Sequence, residues 1–440
     1  MKLVVLGAAE SGVGAAILAQ QKGYDVFVSD RGSIRAHYKS LLDAHALPWE
    51  EGQHTAEQIL DADEVVKSPG IPDDAPMVKA LREKGVPILS ELEFAARYTQ
   101  AQLLCITGSN GKTTTTSLIY HILREAGYNV ELAGNIGRSM ALRVAENEEK
   151  GDPDWFVLEI SSFQLDNMYD FHAHIAVLLN ITPDHLDRYG YVMQRYVDAK
   201  MRIIRNQTPE DYFIYWADDE HVPDELARCE HPARQLPFAD HPRAGLAAYG
   251  RGEAGDDSYG FAEGSSLVVE QPRPFSIPLA QLSLPGKHNR RNCQAAALAT
   301  LAAGVDQETL ARCLADFPGV EHRLERVGNF DGVQYINDSK ATNVDACFVA
   351  LDAQTQPTVL IVGGLDKGND YSTLYDLVSR KCRALVYLGA DNTKLHEAFD
   401  ALAEAKGIAV ADTHSMADCV KACRKLAQTG DTVLLSPCCA

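Results

Sequence analysis

The chain has 440 residues, a formal net charge of −20 and a hydrophobic fraction of 46%. A chain of this length exceeds what one hydrophobic core normally supports, so we expect two or three domains. The negative charge argues against nucleic acid as a partner, because binding to a phosphate backbone requires a basic surface. A phosphorylated ligand must then be held by glycine loops, helix N-termini, a few basic side chains and bound metal.

The apolar run at 3–6 is short and leads directly into a glycine loop, so it predicts a first strand and not a signal peptide. We find no membrane segment in the sequence. The ten cysteines are scattered and form no CxxC pair, which argues against structural zinc. Free thiols in a reducing compartment fit this pattern better than disulfides do, and we expect a cytoplasmic protein.

Strands of the buried type alternate with helical stretches along most of the chain, which predicts an α/β fold with mainly parallel sheets. We divide the chain into three domains, at residues 1–95, 96–318 and 319–440. The first and third are predicted to be Rossmann-like. Ligands in such sheets bind at the carboxyl ends of the strands, so the loops there are the candidate sites.

The first glycine loop, Gly7–Gly14, follows the first predicted strand, and Asp30 ends the second. This order is typical of nicotinamide dinucleotide sites, but four residues, not one, separate Gly7 from the next glycine. A tight turn between strand and helix and a nucleotide-diphosphate site at the helix N-terminus both remain open.

The second glycine loop is more specific. Residues 106–114 read Ile-Thr-Gly-Ser-Asn-Gly-Lys-Thr-Thr and lie between an apolar strand and an amphipathic helix. The backbone N–H groups of Gly108–Lys112 can surround phosphate oxygens, Lys112 adds a positive charge, and the Thr113 hydroxyl can bind Mg²⁺. The sequence therefore predicts a P-loop-type central domain that binds ATP.

Three further side chains follow strands or lie on a helix of this central domain. Glu159 ends an apolar strand, where a carboxylate beside a phosphate loop can hold Mg²⁺, although a surface or capping acid is the alternative. His185 follows the next buried strand and is a candidate functional histidine. Lys200 lies on a predicted helix, and taken alone it is expected to be a solvated charge.

Two loops of the third domain, at 338–343 and 363–368, follow predicted strands. Their positions suit a second substrate, but each string by itself is also compatible with an ordinary turn. The strand predicted at 432–435 is expected to be central or nearly central in its sheet.

Together these strings closely resemble the Mur ligases of peptidoglycan synthesis, over essentially the whole chain. The loop at 107–114 is similar to that of the wider family, which includes folylpolyglutamate synthase. The strings at 161–165, 185–189 and 337–343 resemble the D-glutamate-adding branch. Members of that branch join D-glutamate to UDP-N-acetylmuramoyl-L-alanine with ATP and two Mg²⁺ ions, and the resemblance implies a monomer with the same substrates.

The resemblance also implies a role for individual residues. Lys112, His185 and Lys200 would be catalytic, with Lys200 carbamylated. Mg²⁺ would be held by Thr113 and Glu159 at one site and by His185 and Lys200 at the other. ATP would contact Gly108, Ser109, Asn110, Gly111, Lys112, Thr113, Thr114, Asn289, Asn292, Arg323 and Asp338. The two other substrates would contact Glu10, Ser11, Asp30, Arg31, Ser68, Pro69, Gly70, Asn135, Ser161, Gln164, Thr342 and Lys367.

Family members continue beyond the position of Ala440 with a segment that helps bind D-glutamate, so we expect weaker D-glutamate binding by this sequence. Three alternatives stay open. A nicotinamide-dependent oxidoreductase would explain the first glycine loop but leaves the second without a role. A non-catalytic P-loop module would bind ATP without turnover. A folylpolyglutamate synthase is the alternative within the ligases, and the strings at 161–165 and 338–343 argue against it.

Overall fold

A computed structural model describes residues 1–228, 231–251, 265–284, 286–364 and 369–439. It contains three β-sheets, of five, nine and six strands, and every sheet is accompanied by helices from its own stretch of chain. The predicted α/β class with mainly parallel sheets in three domains is confirmed. Within the described part of the chain, no helix combines the length and the apolar character that crossing a membrane requires.

The first sheet has the order β3-β2-β1-β4-β5, and all of its strand pairs are parallel. Residues 3–6 of its central strand are completely buried, as expected for a parallel strand covered on both faces. Its elements in chain order are β1 (Lys2–Leu6), α1 (Glu10–Gln21), β2 (Asp25–Asp30), α2 (Ala36–Ala44), β3 (Trp49–Glu51), α3 (Ala56–Ile59), β4 (Glu64–Lys67), α4 (Pro76–Lys84), β5 (Ile88–Leu89) and α5 (Glu91–Ala96).

The second sheet has the order β14-β13-β12-β11-β10-β9-β6-β8-β7, and its pairs from β7 to β12 are parallel. Its elements are β6 (Gln102–Thr107), α6 (Lys112–Glu125), β7 (Val130–Gly134), α7 (Met140–Asn147), β8 (Trp155–Glu159), α8 (Ser162–Leu165), β9 (Ile175–Leu178), α9 (Met193–Met201), β10 (Tyr212–Trp216), α10 (Val222–Arg228), β11 (Arg234–Ala239), β12 (Ala248–Arg251), β13 (Ser266–Val269), β14 (Phe275–Pro278), α11 (Lys287–Ala302) and α12 (Gln307–Asp316).

The third sheet has the order β15-β16-β20-β17-β18-β19, with one antiparallel pair, β15 and β16, at its edge. Strand β20 lies third of six, which confirms the predicted near-central position. The elements are β15 (Glu325–Phe330), β16 (Val333–Asn337), α13 (Val344–Asp352), β17 (Thr358–Gly363), α14 (Tyr375–Lys381), β18 (Cys382–Leu388), α15 (Thr393–Lys406), β19 (Ala409–Thr413), α16 (Met416–Leu426) and β20 (Thr432–Cys438).

The described chain divides into two compact units. One comprises Met1–Gly250, Val268–Ser276 and Arg291–Cys313, and the other comprises Arg251–Leu267, Ile277–Arg290 and Leu314–Ala440. Within the first unit, helices α1 and α7 pack closely: a Cβ added to Gly14 would lie 2.1 Å from Ser139 Oγ. This glycine is therefore required by helix packing, which explains one position of the first glycine loop without a ligand.

Candidate functional site

The phosphate loop follows β6 and leads into α6, whose first residue is Lys112. Gly111 precedes the helix with φ +87°, a conformation that glycine adopts without strain, and a Cβ there would lie 2.5 Å from Asn292 Oδ1. Asn292 is buried on α11, so this predicted nucleotide-binding residue lies against the loop. The predicted apolar stripe of α6 is buried, which anchors the helix whose N-terminus faces the loop.

The loop is held from the side by the segment after β9. Ser109 N donates to Asn180 O at 2.9 Å, and Asn110 N donates to Asn180 Oδ1 at 2.8 Å. Ser109 Oγ donates to Thr182 O at 2.8 Å and lies 3.0 Å from Tyr196 Oη. These contacts hold the shape of the loop. Sequence reasoning missed Asn180, although a polar residue just after a strand that neighbours β6 is a usable signal.

Two lysines converge on the same backbone carbonyl of the loop. Lys112 Nζ and Lys200 Nζ each lie 2.8 Å from Gly108 O. Lys200 is 1% exposed on α9, and its ammonium lies 4.6 Å from the centre of the Tyr196 ring. Burial, together with the charge of Lys112, holds the pKa of Lys200 well below its ordinary value. The expectation of a solvated lysine, taken from the helix alone, is therefore wrong: α9 turns this residue toward the loop.

Glu159 ends β8 and pairs in register with Ile106, the residue before the loop's Thr107. Its side chain is 1% exposed. Asn135 Nδ2 donates to Glu159 Oε1 at 2.7 Å, whereas Oε2 is buried and has no hydrogen-bond partner among the described residues. The alternative of a surface or capping acid is therefore excluded. A buried carboxylate oxygen without a partner beside a phosphate loop has the chemistry of a cation ligand.

The strings at 161–165 and 185–189 lie beside each other. Ser161 and Gln164 form a capping box at the start of α8, with Ser161 N and Oγ each 2.9 Å from Gln164 Oε1. The side chain of His185 is 57% exposed and its ring centre lies 5.2 Å from that of Phe163. Ser161 and Gln164 thus stiffen the backbone here, while His185 keeps an accessible imidazole.

In the first sheet, the predicted nucleotide-binding side chains gather at the carboxyl ends of β1, β2 and β4. Asp30 accepts hydrogen bonds from Ala8 N and Gly32 N, both at 2.7 Å, so it fixes the loop's backbone. Ser68 Oγ donates to Gly7 O at 3.3 Å. The other predicted residues of this group are Glu10 and Ser11 at the start of α1, the exposed Arg31 and Gly70, and Pro69.

The predicted residues of the second compact unit occupy strand ends. Asp338 follows β16 and accepts hydrogen bonds from Leu324 N and Ser436 Oγ, both at 3.1 Å. Burial raises the pKa of Asp338 to about 6. Arg323 Nε is buried without a hydrogen-bond partner among the described residues. Thr342 is exposed two residues before α13.

Asn289 is buried on α11. Lys367 lies outside the described residues.

The interpretation of the cysteines as free thiols holds for the nine that the structure describes.

A parallel sheet with a glycine-rich phosphate loop and a buried carboxylate on the neighbouring strand defines a P-loop-type nucleotide-binding protein. Three family models match the chain: the MurD N-terminal domain at residues 2–77, the Mur ligase middle domain at 106–300, and the Mur ligase glutamate ligase domain at 322–439. The chain therefore belongs to the Mur ligase family, and it is a ligase of peptidoglycan precursor synthesis.

Relatives with high identity carry one common name, UDP-N-acetylmuramoylalanine–D-glutamate ligase. The protein from Bacteroides fragilis is 56% identical over 440 residues, which are all of this chain and 95% of the relative. The protein from Porphyromonas gingivalis is 50% identical over all of this chain and 94% of its own length. The family assignment favours the ligase interpretation over the oxidoreductase and over a non-catalytic module.

Solved structures of other Mur ligases share the fold. UDP-N-acetylmuramate-alanine ligase MurC from Thermotoga maritima has a TM-score of 0.60 at 19% identity, covering all of this chain and 96% of that one. MurF ligase from the same organism, solved in complex with ADP, has a TM-score of 0.59 at 18% identity and covers 93% of this chain and 90% of that one. At these identities the likeness concerns the fold alone.

Proposed function

We propose that this protein joins D-glutamate to UDP-N-acetylmuramoyl-L-alanine and converts ATP to ADP and phosphate. The relatives from Bacteroides fragilis and Porphyromonas gingivalis that are named for this reaction align with the whole chain at 56% and 50% identity. The observation that carries the chemistry is Glu159, a buried carboxylate with one oxygen lacking a partner among the described residues, on the strand beside the phosphate loop. ATP and nucleotide-linked substrates are cytoplasmic, so we expect the protein to act in the cytoplasm.

ATP would bind with its phosphates on the loop at 108–114. The N-terminus of the 14-residue helix α6 supplies backbone N–H groups and a partial positive charge there. Lys112 is the charged group at this end, and it would move from the loop carbonyls at 108 and 109 to the transferred phosphoryl group. A fixed cation at this point stabilises charge that develops in the transition state.

The residues present fit Mg²⁺ at the first proposed metal site. Glu159 Oε2 is a buried hard-oxygen donor without a hydrogen-bond partner among the described residues, and Thr113 lies in the first turn of α6. When bound, Mg²⁺ would neutralise the negative charge of the phosphates. The other main positive group at the loop for this purpose is Lys112. Asn135 orients the Glu159 carboxylate through its other oxygen.

A second metal ion would use His185 and a carbamylated Lys200. Carbamate formation requires the neutral amine, and the pKa of Lys200 is lowered by burial and by the charge of Lys112. The Tyr196 ring packs beneath the amine and Gly108 O accepts a hydrogen bond from it, so the amine is already held in place. The modification would convert a cation into an anion at a buried position.

The muramoyl substrate would span two regions of the first compact unit. Its uridine diphosphate end would bind at Glu10, Ser11, Asp30, Arg31, Ser68, Pro69 and Gly70, and its alanine end at Asn135, Ser161 and Gln164. D-Glutamate would bind at Thr342 and Lys367. Thr342 lies at the approach to the N-terminus of the nine-residue helix α13, which favours a carboxylate.

The reaction would proceed in two steps. The alanine carboxylate attacks the γ-phosphorus of ATP, which gives an acyl phosphate and ADP. The amine of D-glutamate then attacks the carbonyl carbon, the C–N bond forms, the C–O bond to phosphate breaks, and the amine loses a proton. Binding the reactants side by side supplies much of the acceleration, because it replaces encounters in solution with a fixed geometry.

Phosphate release with UDP-N-acetylmuramoyl-L-alanine, ATP, Mg²⁺ and a panel of amino acids tests the proposal. We expect turnover with D-glutamate and little with L-glutamate, glycine or L-alanine. Lys112→Ala should reduce kcat by about 10²–10³-fold, whereas Lys150→Ala, at an exposed position, should leave it unchanged. Equal turnover with every amino acid, or an active Lys112→Ala protein, would refute the assignment. Turnover only with a folate substrate would favour a folylpolyglutamate synthase.

A further inference from the structure

The loop that follows β4 is held by two cationic side chains. Arg188 donates from Nη2 to Pro69 O and Ile71 O, both at 3.3 Å, and from Nη1 to Gly70 O at 3.5 Å. Lys67, which is 2% exposed, donates from Nζ to Ile71 O at 2.8 Å. One guanidinium therefore donates hydrogen bonds to three consecutive carbonyl oxygens, in a loop that lies more than a hundred residues away in the chain.

Arg188 is itself fixed by the segment at 161–166. Its guanidinium carbon lies 4.4 Å from the centre of the Phe163 ring, a distance at which cation and ring attract each other. The next residue, Tyr189, is 8% exposed and donates from Oη to Asp166 Oδ2 at 3.0 Å. Phe163 also contacts the His185 ring. The loop at 69–71 is thus connected through Arg188 to both strings that flank the proposed reaction centre.

We propose that Arg188 is a positioning residue, which sets the distance between the uridine diphosphate loop and the segment that receives the alanine carboxylate. This inference rests on the proposed function. A substrate that binds at both regions reacts only if they are held at the separation its length requires, because small misplacements of a reacting group are costly. A planar guanidinium has five N–H donors in a fixed arrangement and can therefore donate to three carbonyl oxygens at once. A lysine ammonium is a point charge that lacks this planar arrangement of donors.

Three variants test the role: Arg188→Ala, Arg188→Lys and, as the matched control, Arg205→Ala at an exposed arginine. We expect Arg188→Ala to raise the KM for the muramoyl substrate about tenfold or more, since it removes several hydrogen bonds from a charged donor. The KM for ATP should stay within about twofold, because no contact of Arg188 involves the phosphate loop. Arg188→Lys should recover part of the loss, and the Arg205→Ala protein should behave as the parent does.

Titration calorimetry with UDP alone separates this inference from the proposed function. UDP should bind more weakly to Arg188→Ala than to the parent, even if the parent uses a different amino acid or shows no turnover. An unchanged KM and an unchanged UDP affinity would overturn the inference. So would an equal loss of affinity for UDP and for ATP with a lowered Tm, since that pattern indicates only general destabilisation. If the alanine variant fails to fold, Arg188→Lys carries the same comparison.

Discussion

The Glu91→Gln substitution tests how the N-terminus of α7 is held. Glu91 is 3% exposed, and its Oε1 accepts hydrogen bonds from Ser139 Oγ at 2.7 Å and from Ala141 N at 2.6 Å. Burial raises the pKa of the Glu91 carboxyl from 4.5 to about 7, and the nearby Glu10 carboxylate adds to this rise. The folded protein therefore holds the proton on this carboxyl more tightly than the unfolded chain does.

The sign of the pH dependence follows from that order of pKa values. The stabilisation that Glu91 contributes is fully present below about pH 4.5 and is lost as the pH rises through about 7. The complete loss corresponds to about 3 kcal/mol, at about 1.4 kcal/mol for each tenfold difference in proton affinity. Between about pH 5 and pH 8 the expected loss is about 2.5 kcal/mol.

Glutamine keeps an acceptor oxygen but cannot ionise, so the variant lacks this pH dependence. We expect the free energy of unfolding of Glu91→Gln, measured relative to that of the parent, to increase by about 2–3 kcal/mol from about pH 5 to pH 8, so that the variant gains relative stability. Urea unfolding followed by tryptophan fluorescence is a suitable assay. All three tryptophans, Trp49, Trp155 and Trp216, lie in the same compact unit as Glu91.

The pKa values of other groups are shifted as well. Burial lowers the pKa of His174, for example, but this residue is present in both proteins and cancels in the difference. Glu149→Gln, at an exposed carboxyl, is the matched control and should give a constant difference. If the difference for Glu91→Gln were equally constant from about pH 5 to pH 8, the carboxyl would ionise normally in the folded protein and the reasoning would be wrong.

Three further substitutions give distinct outcomes. Gly14→Ala should destabilise the protein by about 1–3 kcal/mol in urea unfolding, because the added Cβ would meet Ser139 Oγ at 2.1 Å; unchanged stability would contradict the close packing of α1 on α7. Tyr196→Phe should cost about 1 kcal/mol through loss of the contact with Ser109 Oγ, and a stabilised variant would contradict this. Asp431→Ala should lower the free energy of unfolding by about 1–3 kcal/mol, since Asp431 is 3% exposed and pairs with Arg383. Its affinity for ATP, measured by calorimetry, should be unchanged.

The phosphate loop could be predicted from the sequence because its signal is local. Strand, glycines, Lys112 and amphipathic helix follow one another between residues 102 and 125, and each element is recognisable by its own pattern. Glu159 was found for a similar reason, since parallel strands bring their carboxyl ends to one edge of the sheet. The burial of its side chain and the absence of a partner for Oε2 among the described residues could not be read from the string.

The position of Lys200 could not be predicted, because it depends on which face of α9 packs inward. Tyr196, Val197, Ala199 and Lys200 are all buried on this nine-residue helix, so a lysine shares the buried face with apolar neighbours. Arg188 was missed for a related reason: its carbonyl acceptors lie in a loop of another sheet. Contacts of this kind follow from how domains pack, and no pattern within a single segment records them.

The electrostatics of the phosphate loop give divalent cations a defined part in the proposed function. Lys112 and Lys200 approach the same carbonyl oxygen, and their mutual repulsion adds to burial in lowering the pKa of Lys200. Lys112 brings a positive charge to the loop, whereas Glu159 and, in the proposed function, a bound triphosphate bring negative charge. If Lys200 becomes a carbamate, the local charge falls further, and divalent cations are required to balance it. A carbamate at Lys200 would therefore replace a buried cation by an anion that can bind Mg²⁺ beside the phosphate loop.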